Sequence, residues 1–134
     1  MKFMVSRQFI SFGFIGTIGF LVDGGILTLL NSLAGMGLVA SRLCSFCVAV
    51  TVTWLLNRHL TFNDLKNERM LHEWTRYAAL NGLGALLNLA IFIWLIFHFE
   101  MFAAFPLVPL AIASAIALGF NFTVSKYFVF QNSR

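Results

Sequence analysis

Charge is scarce in this chain. Asp, Glu, Lys and Arg make up 10% of its 134 residues, against 60% hydrophobic and 16% aromatic. A soluble domain of this length cannot hide so much apolar surface. Acidic residues number only 5, and no two lie together inside an apolar run, so paired-carboxylate chemistry has no place to form. Glycine-rich phosphate loops and nucleophile elbows are also missing. Neither nucleotide hydrolysis nor glycosyl transfer can be housed here, and the chain reads as a non-enzyme. The 2 cysteines, Cys44 and Cys47, form a single C-x-x-C without a second pair, and His59 is too far along the chain to join them. No zinc site can be assembled from that set; both cysteines read as small hydrophobes in an apolar helix. His72 and His98 lack partners for acid–base work, and no metal or cofactor is expected. The 2 prolines, Pro106 and Pro109, stand near the start of the fourth apolar segment, where a missing amide donor does least harm. The runs do not alternate between apolar and polar residues, which excludes a membrane barrel. The cations do not cluster on a soluble face, which excludes nucleic acid as a partner.

What is present is a set of long uncharged windows. Asp, Glu, Lys, Arg and His are absent from 43 to 57, from 77 to 97 and from 101 to 125, and only Asp23 interrupts the stretch between Gln8 and Ser41. A helix crossing the hydrocarbon layer needs about 20 mainly apolar residues. The windows therefore predict four crossings, at 9–31, 38–56, 75–97 and 104–124, in a single all-α membrane domain spanning 1–134. A signal peptide is the competing reading of the first run, since Lys2 and Arg7 precede it. The run is too long for one and has no small-x-small cleavage site.

Arg7 and Lys2 lie before the first crossing, Arg58, Lys66, Arg69 and Arg76 lie in or beside the central segment, and Lys126 and Arg134 follow the last crossing. The hairpin loops at 32–37 and 98–103 hold no Lys or Arg. The positive-inside rule then predicts cytoplasmic termini and a cytoplasmic loop at 57–74. The net charge of +4 is a topology signal first and only weakly an affinity for lipid headgroups. The loop reads as a solvated linker. It also allows a short amphipathic helix, with Leu65, Met70, Leu71 and Trp74 at the interface and Lys66, Glu68, Arg69 and Glu73 in water.

A duplication runs through the chain. NRHLTF at 57–62 recurs as SKYFVF at 125–130, pairing Asn57 with Ser125, Arg58 with Lys126, His59 with Tyr127 and Phe62 with Phe130. Further forward, Phe9 matches Trp74, Phe12 matches Tyr77, Gly19 matches Gly84 and Asp23 matches Asn88. Each half is thus one helical hairpin, and the two hairpins are parallel repeats, an arrangement common in membrane carriers.

Several residues are candidates for chemistry. Asp23 lies about 21 Å along the first helix at 1.5 Å per residue, where a carboxylate must be protonated, paired or turned to a polar cavity. Arg42 sits near the same level on the second helix, so the two can pair, whether to lock the hairpin or to serve a path. Asn88 and Asn121 can bind a neighbouring helix or a sugar hydroxyl. Arg58 and Lys126, with His59, Tyr127, Phe62 and Phe130 as an aromatic platform, can anchor helix ends at the interface. They can equally hold a phosphate, which needs fixed cations; Arg7 and Arg76 would join them at the mouths of the first and third helices.

The segments RQFISFGFIGTIGFLVD, FCVAVTVTWLLNRHLTF, RYAALNGLGALLN and IALGFNFTVSKYFVF together resemble the GtrA-like family of small four-helix inner-membrane proteins, and they cover nearly the whole chain. Thr53 departs from the pattern, standing where the second half carries Asn121. The resemblance implies translocation (flipping) of a polyprenyl-phosphate-linked sugar from the cytoplasmic to the periplasmic leaflet, for polysaccharide or O-antigen modification. On that reading Arg58 and Lys126, with Arg7 and Arg76 as outer candidates, are expected on the phosphate, and Asp23, Asn88, Asn121 and Arg42 on the sugar or its path. Four helices enclose little space, so a homo-oligomer with its groove between copies is expected. Two rival readings are a noncatalytic anchor for a partner glycosyltransferase and a small proton-coupled multidrug exporter using Asp23.

Overall fold

The computed structural model describes residues 1–65, 68–105 and 107–130, and the backbone alone at Leu38. Lys66, Pro106 and Arg134, invoked above for the central loop, the fourth helix and topology, lie outside the described residues. Backbone amides and carbonyls in hydrocarbon must be satisfied within their own segment, and the chain complies. It folds as α1 (Lys2–Thr28), α2 (Leu38–Leu56), α3 (Met70–His98), a short α4 (Glu100–Ala104) and α5 (Leu107–Val124), with no strand among the described residues. Four helical runs, Lys2–Leu33, Val39–Thr61, Met70–His98 and Leu107–Phe130, are long and apolar enough to cross a membrane. Large apolar side chains such as Phe14, Phe20, Leu21, Leu86 and Phe97 point outward. Such a surface is stable against acyl chains and not against water.

The hairpin reading is reproduced in the packing: α1 lies chiefly against α2, and α3 chiefly against α5. The helices nevertheless run past the expected segments. α1 continues into a π turn at Leu29–Leu33, α2 into a second at Asn57–Thr61 and α5 into a third at Ser125–Phe130. In the second of these the Phe62 amide reaches back five residues to the Asn57 carbonyl, at 2.8 Å. The segment 57–74, expected as a hydrophilic loop, is therefore helical at both ends, and α3 begins at Met70. A widened turn advances the helical register. Its effect here is to bury consecutive polar residues together, Asn57 with Arg58 in one repeat and Ser125 with Lys126 in the other.

The core gathers at the end of the bundle that carries the termini. Phe62 and Phe130 stack with ring centroids 4.8 Å apart, and Phe12, Trp54, Tyr77, Phe122 and Val129 close around them. Two residues expected to serve as a ligand platform are thus the centre of the hydrophobic core, fully buried where the two repeats meet. Cys44 and Cys47, expected to pack inside, are exposed on the outer face and unbridged.

Close helix approach depends on two glycines in register. A Cβ on Gly19 would collide with Thr53 Cγ2, and one on Gly84 would collide with Asn121 Oδ1. Thr53 and Asn121 thus occupy matching places despite their different chemistry. Thr53 is β-branched and its hydroxyl is held by the Val50 carbonyl at 3.1 Å, so it has little freedom to turn away. Gly19→Ala is expected to lower stability by about 1–3 kcal/mol, read as a reduced Tm in detergent. Gly84→Ala should cost less, because Asn121 meets it with the tip of a rotatable side chain.

Candidate functional site

A polar groove runs through the bundle above that core. It encloses about 310 Å³ and is lined from both repeats by Asp23, Thr53, Asn57, Tyr77, Asn81, Asn88 and Asn121 among apolar side chains. From Tyr77 to Asn88 along α3 it extends about 16 Å at 1.5 Å per residue. Its lining comes from both repeats of the chain. The volume is at the small end of the range for ligand sites, roughly 300–1,000 Å³.

A hydrogen-bonded chain that joins the repeats passes through the groove-lining residues Asn57, Tyr77 and Asn81. Ser11 and Thr61 share a bond of 2.7 Å, the Thr61 hydroxyl bonds Asn57 Oδ1 at 2.9 Å, and Asn57 Nδ2 donates to the Tyr77 hydroxyl at 3.0 Å. Asn81 Nδ2 donates to the Tyr77 carbonyl at 2.9 Å and approaches Ser125 Oγ at 3.5 Å. At the far end Arg42 Nη1 meets Asp23 Oδ2 at 2.6 Å, the pairing that their common depth suggested. The other carboxylate oxygen, Oδ1, is buried and has no hydrogen-bond partner among the described residues. Asn88 Nδ2 contacts Ser114 Oγ at 3.4 Å, and Asn121 Oδ1 is likewise buried without a partner among them. A buried acceptor left unpaired costs about 1–3 kcal/mol. Two such acceptors belong to residues that line one groove, the Asn121 oxygen being packed against Gly84.

These parts decide the assignment. Residues 11–132 match the family described as GtrA/DPMS, transmembrane domain. The chain belongs to that family. No curated protein matches it. GtrA/DPMS membership makes this a membrane protein linked to the handling of polyprenyl-phosphate sugars, and its polar groove lies inside a bundle whose exterior is apolar.

At the terminal end of the GtrA/DPMS bundle the two predicted phosphate cations differ. Arg58 Nη1 forms a 2.6 Å ion pair with Glu73 Oε1, and Trp54 Nε1 donates to the same oxygen at 3.0 Å. Glu73, expected to face water on an interfacial helix, is wholly buried. The helix does carry it, but α3 has already begun at Met70, which turns the carboxylate inward to Arg58. Lys126 is buried as well and has no acidic partner among the described residues. Arg7 is exposed and borders a separate surface groove with Gln8, Ser11, Thr61 and Asp64. Arg76 is half-buried on α3. His59 is exposed, and the ring beneath Arg58 is that of Trp54, with its centroid 5.8 Å from Cζ. Tyr127 does stand beside its cation, 5.5 Å from Lys126 Nζ to the ring centroid.

Asn57, Tyr77 and Asn81, which line the groove, and Glu73, which pairs with Arg58, were given no site role by sequence reasoning. Asn57 and Tyr77 entered it only as register partners. Asn81 carried a readable signal, being a lone amide inside an apolar run.

Proposed function

We propose that this GtrA/DPMS protein carries a polyprenyl-phosphate-linked sugar between leaflets, from the cytoplasmic to the periplasmic side, with both termini in the cytoplasm. The observation that supports the reading is the polar groove inside a bundle whose exterior is apolar. A sugar hydroxyl taken into hydrocarbon without a partner costs about 2–7 kcal/mol. The groove supplies partners along the way: amides at Asn81, Asn88 and Asn121, hydroxyls at Thr53 and Tyr77, and the free oxygen of Asp23. Its volume admits a single sugar ring, while the isoprenoid tail stays in lipid beside α1 and α5. The phosphate remains at the cationic end, and the sugar tips into the groove toward Asp23 and Arg42.

Purified protein reconstituted into vesicles with a labelled polyprenyl-phosphate sugar tests this reading. Movement of label to the opposite leaflet should be faster than in protein-free vesicles. Equal rates with correctly inserted protein would sink the carrier and leave the anchor for a glycosyltransferase. Asp23 held by Arg42 also argues against the drug exporter, because the carboxylate that would take a proton already has a cationic partner.

A further inference from the structure

The surface groove that Arg7 borders is tied to the internal one. It measures about 480 Å³ and lies at the end of the bundle that carries the termini, lined by Arg7, Gln8 and Ser11 of α1 and by Thr61, Asn63 and Asp64 beyond α2. Two of these residues open the hydrogen-bonded chain that continues inward. Ser11 and Thr61 share the 2.7 Å bond, and the Thr61 hydroxyl bonds Oδ1 of Asn57, which lines the internal groove and donates to Tyr77. A thread of polar side chains thus passes from the lining of one groove to the lining of the other. The residues next to it in sequence, Phe12 and Phe62, belong to the apolar core. The second repeat does not copy the thread. There the register partner of Thr61 is Val129, an apolar side chain wholly buried in the core.

Hydroxyls and amides can trade one hydrogen-bond partner for another at small net cost. An apolar seam offers no such trade, and a hydroxyl forced into it goes unpaired. We propose that the surface groove at Arg7 and Asp64 is the mouth of the internal groove, a loading site for an uncharged polyhydroxyl group that passes inward between Ser11 and Thr61. The proposal rests on the carrier reading only for what that group is attached to. Its lining holds one cation and one anion, so charge does not select a phosphate there. Gln8 Oε1 adds a buried acceptor with no hydrogen-bond partner among the described residues. Val129 keeps the equivalent seam shut to polar solutes, so the duplicated bundle has one polar entrance at this end and not two.

The test is thiol labelling of the full chain in phosphatidylcholine nanodiscs, read by intact mass. The probes are glucosylethyl methanethiosulfonate, which is uncharged, and sulfonatoethyl methanethiosulfonate, which is an anion. Cys44 and Cys47, both exposed, are replaced by Ala; Asn81→Cys then puts one thiol on the internal groove, and His59→Cys, in a separate variant, gives an exposed reference at the same end. Relative to that reference, the glucosyl probe should label Asn81→Cys faster than the sulfonate does. Thr61→Val, which copies Val129, should slow the glucosyl probe by about tenfold or more. Thr61→Ser, which keeps the hydroxyl, should hold the rate. Undiminished labelling in folded Thr61→Val protein, or none at Asn81→Cys without it, overturns the mouth. A sulfonate rate equal to or above the glucosyl rate overturns its preference for an uncharged group. Labelling as expected without transbilayer movement of a lipid-linked sugar would count against the carrier reading and leave this inference standing.

Discussion

Arg58→Gln is expected to destabilise the protein by about 3–5 kcal/mol, because it strands the Glu73 carboxylate inside the bundle. Glu73 is 0% exposed and receives bonds from Arg58 and Trp54 on one oxygen. Removing the cation takes away the 2.6 Å ion pair that neutralises this buried charge. Glu73→Gln should be milder, since an amide can still accept from Trp54 and Arg58 retains slight exposure. Combining the two changes should recover much of the loss, because no buried charge is then stranded. The measurement is a double-mutant cycle on thermal or denaturant unfolding in detergent, in which a coupling near zero would refute the buried pair. Loss of transport by Arg58→Gln would accordingly say nothing about phosphate, since the protein would fail for reasons of folding.

That pair also shows where sequence reasoning stops. The spans, the duplication and the hairpin order were legible because each rests on many residues: whole windows without charge, or matches repeated along both halves. Asp23 and Arg42 were legible because similar depth on adjacent helices puts two opposite charges in reach. Glu73 was not, for it lies in a hydrophilic segment among Glu68, Arg69 and His72, and a boundary error of five residues decides whether it faces water or Arg58. The π turns were equally hidden. Nothing in NRHLTF distinguishes an interfacial belt, with Phe62 outside, from a widened turn that drives Phe62 onto Phe130 in the core. Even so, the matched positions kept their meaning after the correction. Arg58 and Lys126 remain equivalent in place and in burial, and among the described residues it is the ion pair of Arg58 with Glu73 that separates them.

The second large effect is expected in the groove, from Asn88→Leu combined with Asn121→Leu. Leu branches at the same carbon as Asn, so each change removes hydrogen-bonding atoms with little change in shape. Little stability should be lost, because Asn121 Oδ1 has no partner to forfeit and the Asn88 contact with Ser114 is long at 3.4 Å. Leu is also at home in a lipid-embedded bundle. Transport should respond very differently. Each amide that no longer meets a sugar hydroxyl raises the barrier by about 1–3 kcal/mol. The pair together should slow movement by about thirtyfold at the least, at one factor of ten per ~1.4 kcal/mol. Binding of farnesyl phosphate, which lacks a sugar, should be unaffected. Measured together, an unchanged Tm, unchanged phosphate binding and a collapsed transbilayer rate would isolate the groove as the sugar's path. An unchanged rate would mean that the sugar crosses elsewhere, and that the two amides serve only to hold α3 and α5 together.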